Sequence, residues 1–227
     1  MTQKTTPTSV LLFAAGLGTR MAPLTKMRPK PMIRVAGRPL LDHAHAHCDG
    51  LRVVVNTHYL AQHIHAHLVG TNAILSHEPD GALETGGGLK HALPMLDSNP
   101  VFTLNTDAVW RGANPLAALA KSWDPAKMEA LLLMIPRHAA VGHSGTGDFD
   151  ISPTGELSRG TDYVFSGAQI IRTDRLVHIN DTMFSMWSLW TGMLERGTMF
   201  GMAYDGMWCD VGRPECIQIA ETMLRGD

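Results

Sequence analysis

Val10–Arg20, VLLFAAGLGTR, continued by Met21–Pro31, MAPLTKMRPKP, decides how the rest of the chain is read. The apolar run Val10–Ala15 predicts a strand buried on both faces, as central parallel strands are. It breaks into a loop holding Gly16, Gly18, Thr19 and Arg20, and Lys30 follows between Pro29 and Pro31. Glycines let backbone N–H groups close on an anion, while arginine and lysine neutralise it. A buried strand that releases such a loop is a phosphate-gripping device. Gly16-Leu17-Gly18-Thr19-Arg20-Met21 begins like G-x-G-x-x-G, but Met21 fills the third glycine position that the dinucleotide fingerprint needs for helix–strand packing. A Rossmann oxidoreductase is therefore disfavoured. The sequence holds no G-x-x-x-x-G-K-[ST], which excludes an ordinary P-loop ATPase.

Outward from this stretch, strands and helices alternate. Strands are predicted over 51–56, 73–77, 101–105 and 130–135, with helices over 39–48, 59–69, 89–96 and 115–123 between them. That spacing predicts an α/β fold with a doubly wound, mostly parallel Rossmann-like sheet. After Pro136 the pattern changes. Residues 138–147 read as a loop, 148–152 and 156–158 as a hairpin, 163–172 and 199–204 as strands, 185–196 and 214–224 as helices. This half is expected to be a smaller antiparallel extension. Residues 1–9 read as a flexible tail and 10–227 as one domain, divided near residue 136.

The bulk numbers narrow the function. The chain has 227 residues, 44% of them hydrophobic, and a formal charge of −2, so no basic footprint for nucleic acid is present. Three cysteines without CxxC spacing disfavour a disulfide framework and a zinc knuckle. No stretch approaches the ~18 apolar residues of a membrane span, and the run Val10–Ala15 is too short for a signal peptide. A cytoplasmic protein, monomeric or homodimeric, is expected.

Leu12–Pro31, LFAAGLGTRMAPLTKMRPKP, closely resembles the signature of the sugar-1-phosphate nucleotidyltransferases, departing from it at Phe13. The resemblance implies a glycosyltransferase-A-like fold and a nucleoside triphosphate on Ala15, Gly16, Gly18, Thr19 and Arg20. It also implies Lys30 on the phosphates, with Arg20 and Lys30 as catalytic cations. Two acids gain meaning from it. Asp107 stands just past the apolar strand ending at Asn105, in the crevice where open α/β sheets bind ligands. Asp210 lies in Trp208-Cys209-Asp210-Val211-Gly212. Taken locally, Asp107 reads equally as an Asx turn and Asp210 as a helix cap or ion-pair member. The resemblance implies that both hold Mg²⁺, which takes oxygen ligands together with substrate phosphates.

Glu84-Thr85-Gly86-Gly87-Gly88 puts three glycines where a helix should start, each costing about 0.8–1 kcal/mol relative to alanine inside a helix. Close approach of a base and ribose explains such a run, and the resemblance implies Glu84, Thr85 and Gly86 at the nucleoside. The ETGGG form is similar to the branch holding N-acetylmuramate-1-phosphate uridylyltransferases and some mannose- and heptose-1-phosphate guanylyltransferases. That branch implies Asp148, Ser166 and Gly167 at the sugar phosphate, with Lys30 and Asn105, and the resemblance implies Asn105 at the nucleotide as well. The expected reaction joins UTP and a sugar 1-phosphate and expels pyrophosphate, in cell-wall sugar recycling. The chain ends soon after Leu224, so nucleotide transfer alone is expected. The rival from another class is a non-catalytic nucleotide-sugar sensor, which would be expected to have lost Arg20, Lys30, Asp107 or Asp210; all four are present.

Other signals are set aside. Of the twelve histidines, the six grouped at 43–47 and 63–67 read as solvated helix faces, because positions two apart do not share one face. Trp187, Trp190, Met183, Met186 and Met193 read as core or a dimer surface, and Cys209 as buried packing.

Overall fold

A computed structural model describes residues 6–226. Of the tail expected over 1–9, residues 1–5 lie outside the described residues, and Ser9 corrects the boundary. Ser9 is fully buried and opens the first strand, its hydroxyl 2.8 Å from the Ser98 hydroxyl.

In chain order the strands of the first half are β1 (Ser9–Phe13), β2 (Arg52–Thr57), β3 (Ile74–His77), β4 (Val101–Asn105), β5 (Ala108–Arg111) and β6 (Ala130–Pro136). Those of the second are β7 (Phe149–Ile151), β8 (Leu157–Arg159), β9 (Tyr163–Ile171), β10 (Met199–Ala203) and β11 (Met207–Asp210). The main sheet runs β3-β2-β1-β4-β9-β6-β10. All pairs are parallel except those of β9, which lies antiparallel between β4 and β6. The β7–β8 hairpin joins β9 at Tyr163. A smaller sheet pairs β11 antiparallel with β5 and parallel with Ala140–Val141.

The second half is the more antiparallel one, as expected, through β9, the β7–β8 hairpin and the β5–β11 pair, while β9 and β10 extend the main sheet and β10 is parallel to its neighbour. Inside the expected loop 138–147 lies the short strand Ala140–Val141, and β5 was not foreseen.

Helices α1 (Leu40–His45), α2 (Ala61–Leu68), α3 (Glu84–Ala92), α4 (Pro115–Ser122), α5 (Trp187–Glu195) and α6 (Glu215–Arg225) cover the sheets. Side chains of a strand alternate between faces. Val10, Leu12, Val53 and Val55 therefore pack with α1, α2 and α4, while Leu11 and Val54 pack with α3 and α5. Asn114 caps α4, its side-chain oxygen accepting from Leu116 N at 2.9 Å and Ala117 N at 3.2 Å. α3 starts at Glu84, so the glycine run lies within the helix rather than before it.

Among the described residues no helix is long and apolar enough to cross a membrane. Trp190, Met186 and Met193 are core, whereas Met183 is exposed. Cys209 is buried, and burial pushes its thiol up to about 12. The histidines are not merely solvated. His67 Nε2 pairs with Asp42 at 2.6 Å, and His65 and His77 both approach the Thr57 hydroxyl.

Candidate active site

β1, β2 and β4 are parallel neighbours, so their C-terminal ends open on one edge, where the chain must leave the sheet. A cavity of about 480 Å³ sits there. It is lined by the whole loop 13–21 together with Lys30, Asn56, Glu78, Glu84, Thr85, Asn105, Asp107 and Gly212. Loop, cation, helix start and carboxylate, far apart in sequence, meet in this one place.

The loop's shape follows from its residues. Gly18 sits at φ 63°, in the left-handed region that a side chain resists. A Cβ there would also come 2.9 Å from the Lys30 Cβ and 3.0 Å from the Thr25 methyl. Thr25 donates its hydroxyl to the Gly18 carbonyl at 3.1 Å. The two halves of the opening stretch therefore fold onto each other at a single glycine. Met21 is fully buried among Ile33, Val35, Val109, Cys209 and Val211, an apolar seat that explains methionine where a dinucleotide loop keeps glycine.

The acids are set by strand pairing. The Thr106 hydroxyl donates to the Phe13 carbonyl at 2.7 Å, tying β4's end to β1's. Val211 N then donates to the Asp107 carbonyl at 2.8 Å, and Asp210 stands opposite Ala108 across the β5–β11 ladder. This brings Asp210 close enough to Asp107 to feel its charge, although only Asp107 and the neighbouring Gly212 line the cavity. Burial first, and then the Asp107 charge, push the Asp210 carboxyl above the usual carboxylate range, while Lys30, Arg20 and His143 pull the other way. Lys30 Nζ lies 2.9 Å from Asp107 Oδ2, with the lysine side chain mostly buried. Arg20 is exposed at the mouth.

Asp107 and Asp210 offer oxygen donors alone, the set that suits Mg²⁺. Among the described residues no cluster of three His, Cys, Asp or Glu side chains could hold a metal ion. An ion here would therefore complete its shell with substrate oxygens and water, which is how Mg²⁺ is commonly held. The arrangement can bind a polyphosphate and offset the negative charge that gathers when a second phosphate approaches.

Of the residues singled out from the sequence, Ala15, Gly16, Gly18, Thr19, Arg20, Lys30, Glu84, Thr85, Asn105 and Asp107 line the cavity. Gly86 does not. Its N–H and that of Gly87 both donate to the Phe184 carbonyl at 3.0 Å. A Cβ on Gly86 would meet the Phe184 ring at 2.5 Å, and one on Gly87 the Thr182 carbonyl at 2.3 Å. Gly86 and Gly87 are thus explained by the segment 182–184 crossing over the helix.

Of the residues expected at the sugar phosphate, Lys30 and Asn105 line the cavity, whereas Asp148, Ser166 and Gly167 do not. Gly167, at φ 89°, leaves room for Asn105, whose Cβ would lie 2.7 Å from a side chain there. Ser166 is buried, its hydroxyl accepting from Ala168 N at 3.3 Å inside the irregularity of β9. Asp148 Oδ2 accepts from Phe165 N at 2.8 Å, so its carboxylate secures that same irregularity.

Sequence reasoning missed Asn56, Glu78 and Thr106. A signal for Asn56 was available: it is a polar residue ending an apolar strand at the sheet edge, the same pattern that singled out Asp107.

A family model described as the MobA-like NTP transferase domain matches residues 10–144. The chain is 37% identical to an N-acetylmuramate alpha-1-phosphate uridylyltransferase of Caulobacter vibrioides, over 96% of this chain and 97% of that protein. It is 31% identical to one of Neisseria meningitidis serogroup B, over 89% and 92%. Among solved structures, HddC from Yersinia pseudotuberculosis complexed with GMP-PN superposes with a TM-score of 0.76 at 21% identity, over 95% of this chain and 99% of that one. The inositol-1-phosphate CTP transferase from T. maritima gives 0.77 at 14% identity, over 97% and 98%. With a glycine-loop cavity at the sheet edge and these relatives along nearly its whole length, the chain belongs to the MobA-like NTP transferase family.

Proposed function

We propose that this protein is an Mg²⁺-dependent sugar-1-phosphate nucleotidyltransferase, working on residues 10–227 as one domain. It would transfer the uridylyl group of UTP to N-acetylmuramic acid 1-phosphate, releasing pyrophosphate. The observation that carries the reading is the meeting of the glycine loop, Arg20, Lys30, Asp107 and Asp210 at one sheet edge, although they span the chain.

A sugar phosphate is already an adequate nucleophile near neutral pH, so the site needs no general base. Its work is positioning and charge stabilisation. Backbone N–H groups from Gly16 to Arg20 would take the triphosphate, and Arg20, open at the mouth, the departing pyrophosphate. Lys30 would hold the α-phosphate or the incoming sugar phosphate, its ammonium leaving Asp107 for substrate. Asp107 and Asp210 would hold Mg²⁺, which supplies charge screening between the two anions when bound. Glu84 and Thr85 face the nucleoside end, and Asn105, with Gly167 beneath it, opens toward the sugar.

UTP and the N-acetylmuramate acceptor are favoured by two relatives above 30% identity that match along most of the chain and carry that activity in their names. The setting would be recycling of peptidoglycan sugars in the cytoplasm, by a monomer or homodimer. A guanylyl reading is supported by mannose-1-phosphate guanylyltransferase relatives, one of Danio rerio at 25% identity over 90% of this chain and one of Drosophila melanogaster at 34% over 45% of it. The test is pyrophosphate release from a matrix of four nucleoside triphosphates against a panel of sugar 1-phosphates with Mg²⁺. UTP with N-acetylmuramic acid 1-phosphate is expected to turn over fastest. GTP with mannose or heptose 1-phosphate as the best pair would move the protein to the guanylyl branch. Tight UDP-sugar binding without turnover would make it a sensor.

A further inference from the structure

In the wall of the cavity lies a polar chain that none of the assigned roles uses. Ala14 N, the first amide after β1, donates to Asn56 Oδ1 at 2.7 Å. Asn56 Nδ2 donates to Glu78 Oε1 at 2.8 Å, and Glu78 Oε2 accepts from Leu83 N at 2.9 Å. Asn56 is 2% exposed and Glu78 1%, and no ion pair among the described residues includes Glu78. The orientation of the Asn56 amide follows from chemistry, since a backbone N–H can only donate and its partner must be the amide oxygen. Room for the chain is made by Gly88, where a Cβ would stand 2.8 Å from Asn56 Nδ2 and 3.0 Å from Glu78 Oε1.

The two ends matter. Ala14 leads into the glycine loop. Leu83 precedes Glu84, which is held at φ 61° as α3 begins and lines the cavity with Thr85. Resting on the reading of the cavity as a nucleoside triphosphate site, we propose that Asn56 and Glu78 are a positioning pair. The pair sets the distance between the triphosphate loop and the nucleoside-facing start of α3, so that one nucleotide can engage both.

The chemistry of the pair dictates its own test. Both ends are N–H donors, so the middle must accept twice and pass one donor between its members. An amide followed by a carboxylate does this, and so does a carboxylate followed by an amide. Asn56→Asp alone sets two carboxylate oxygens face to face. Glu78→Gln alone sets two donors face to face, whichever way its amide turns. The double variant Asn56→Asp/Glu78→Gln restores every hydrogen bond with the middle one reversed and the net charge unchanged.

The experiment measures Mg·UTP binding by calorimetry, the KM for the sugar phosphate and the melting temperature, at about pH 8, where free carboxylates are ionised. Each single variant is expected to weaken Mg·UTP binding about tenfold or more, the scale set by unpaired buried polar groups. The sugar-phosphate KM should stay near wild type, and the double variant should recover most of the UTP affinity. Single variants that lose melting temperature but bind Mg·UTP like wild type would overturn the pair's role and leave it as scaffold. A double variant as weak as the singles would overturn it too. Wild-type protein that binds none of the four nucleoside triphosphates would instead overturn the reading of the cavity, and the pair's role with it.

Discussion

The side of the cleft proposed to take the nucleotide and the side proposed to take the sugar phosphate are built on opposite plans. On that first side, the loop after β1 lines open space with Arg20 exposed at the mouth, and Gly18, Thr25, the buried Met21 and the Ala14–Asn56 hydrogen bond hold its shape. On the sugar side, Asp148, Ser166 and Gly167 are all spent on the irregularity in β9 that seats Asn105. A loop that must cover a triphosphate keeps its polar groups free, whereas a wall that must stay put consumes them. The difference teaches that proximity to a site and contact with substrate are separate properties, and that hydrogen-bond accounting separates them.

The comparison breaks first, and hardest, at the charges. Asp107→Asn, Asp210→Asn and Lys30→Ala should each lower kcat for pyrophosphate release by about 10²–10³, the loss seen when one preorganised group at a charged transition state is removed. Melting temperature should fall little, because Lys30 and Asp107 sit at the cavity rather than in the core. Wild-type turnover by Asp107→Asn would remove the metal assignment.

The glycine run gives the next effect, on folding rather than turnover. Gly87→Ala should destabilise by about 1–3 kcal/mol, the usual range for overpacking, because its Cβ would fall 2.3 Å from the Thr182 carbonyl. A melting temperature equal to wild type would show that the 182–184 segment yields, and would reopen the run to a nucleoside.

How much of this could be read beforehand follows the same division. Val10–Pro31 was legible because strand, glycines and fixed cations sit in one local stretch, and the strand, loop and Lys30 fall where the pattern put them. Asp107 was legible from its place past an apolar strand only as a carboxylate at the cleft, and its metal reading came from the resemblance. The place of β9 was not, since its residues read as any strand and only the non-local pairing with β4 and β6 puts it mid-sheet. The purpose of Gly86–Gly88 was hidden for the same reason. Their neighbours Phe184, Thr182, Asn56 and Glu78 come from distant segments, so a glycine kept for packing looks the same in sequence as one kept for a ligand.

A smaller effect tests the sugar wall. Ser166→Ala should change the KM for the sugar phosphate by less than about threefold, because the lost hydrogen bond is internal and worth about 1 kcal/mol. A tenfold rise would mean that the hydroxyl turns outward when substrate binds, making the wall a participant. Asp148→Ala is expected to act differently, lowering both melting temperature and sugar-phosphate affinity by freeing Phe165 N and loosening the seat of Asn105.

The smallest effect lies at the far end of β6, where nothing should reach the cleft. Glu129 accepts from the Thr198 hydroxyl at 2.7 Å and from Arg175 at 3.2 Å, and pairs with Arg196. Burial alone would raise its carboxyl, but the hydrogen bonds from Arg196, Thr198 and Arg175 outweigh it and hold it below the ordinary value of 4.5. A carboxyl depressed in the folded state stabilises fully above its unfolded pKa, and that contribution is lost as pH falls through the folded value. Glu129→Gln should therefore melt slightly below wild type near neutral pH, and the gap should close on acidification below about pH 4. kcat and both KM values should stay unchanged throughout, since the Arg175–Glu129–Arg196 cluster anchors the start of β6 while the site uses the opposite ends of the parallel strands. A gap that persists in acid would assign the stabilisation to packing of the side chain instead of to its charge.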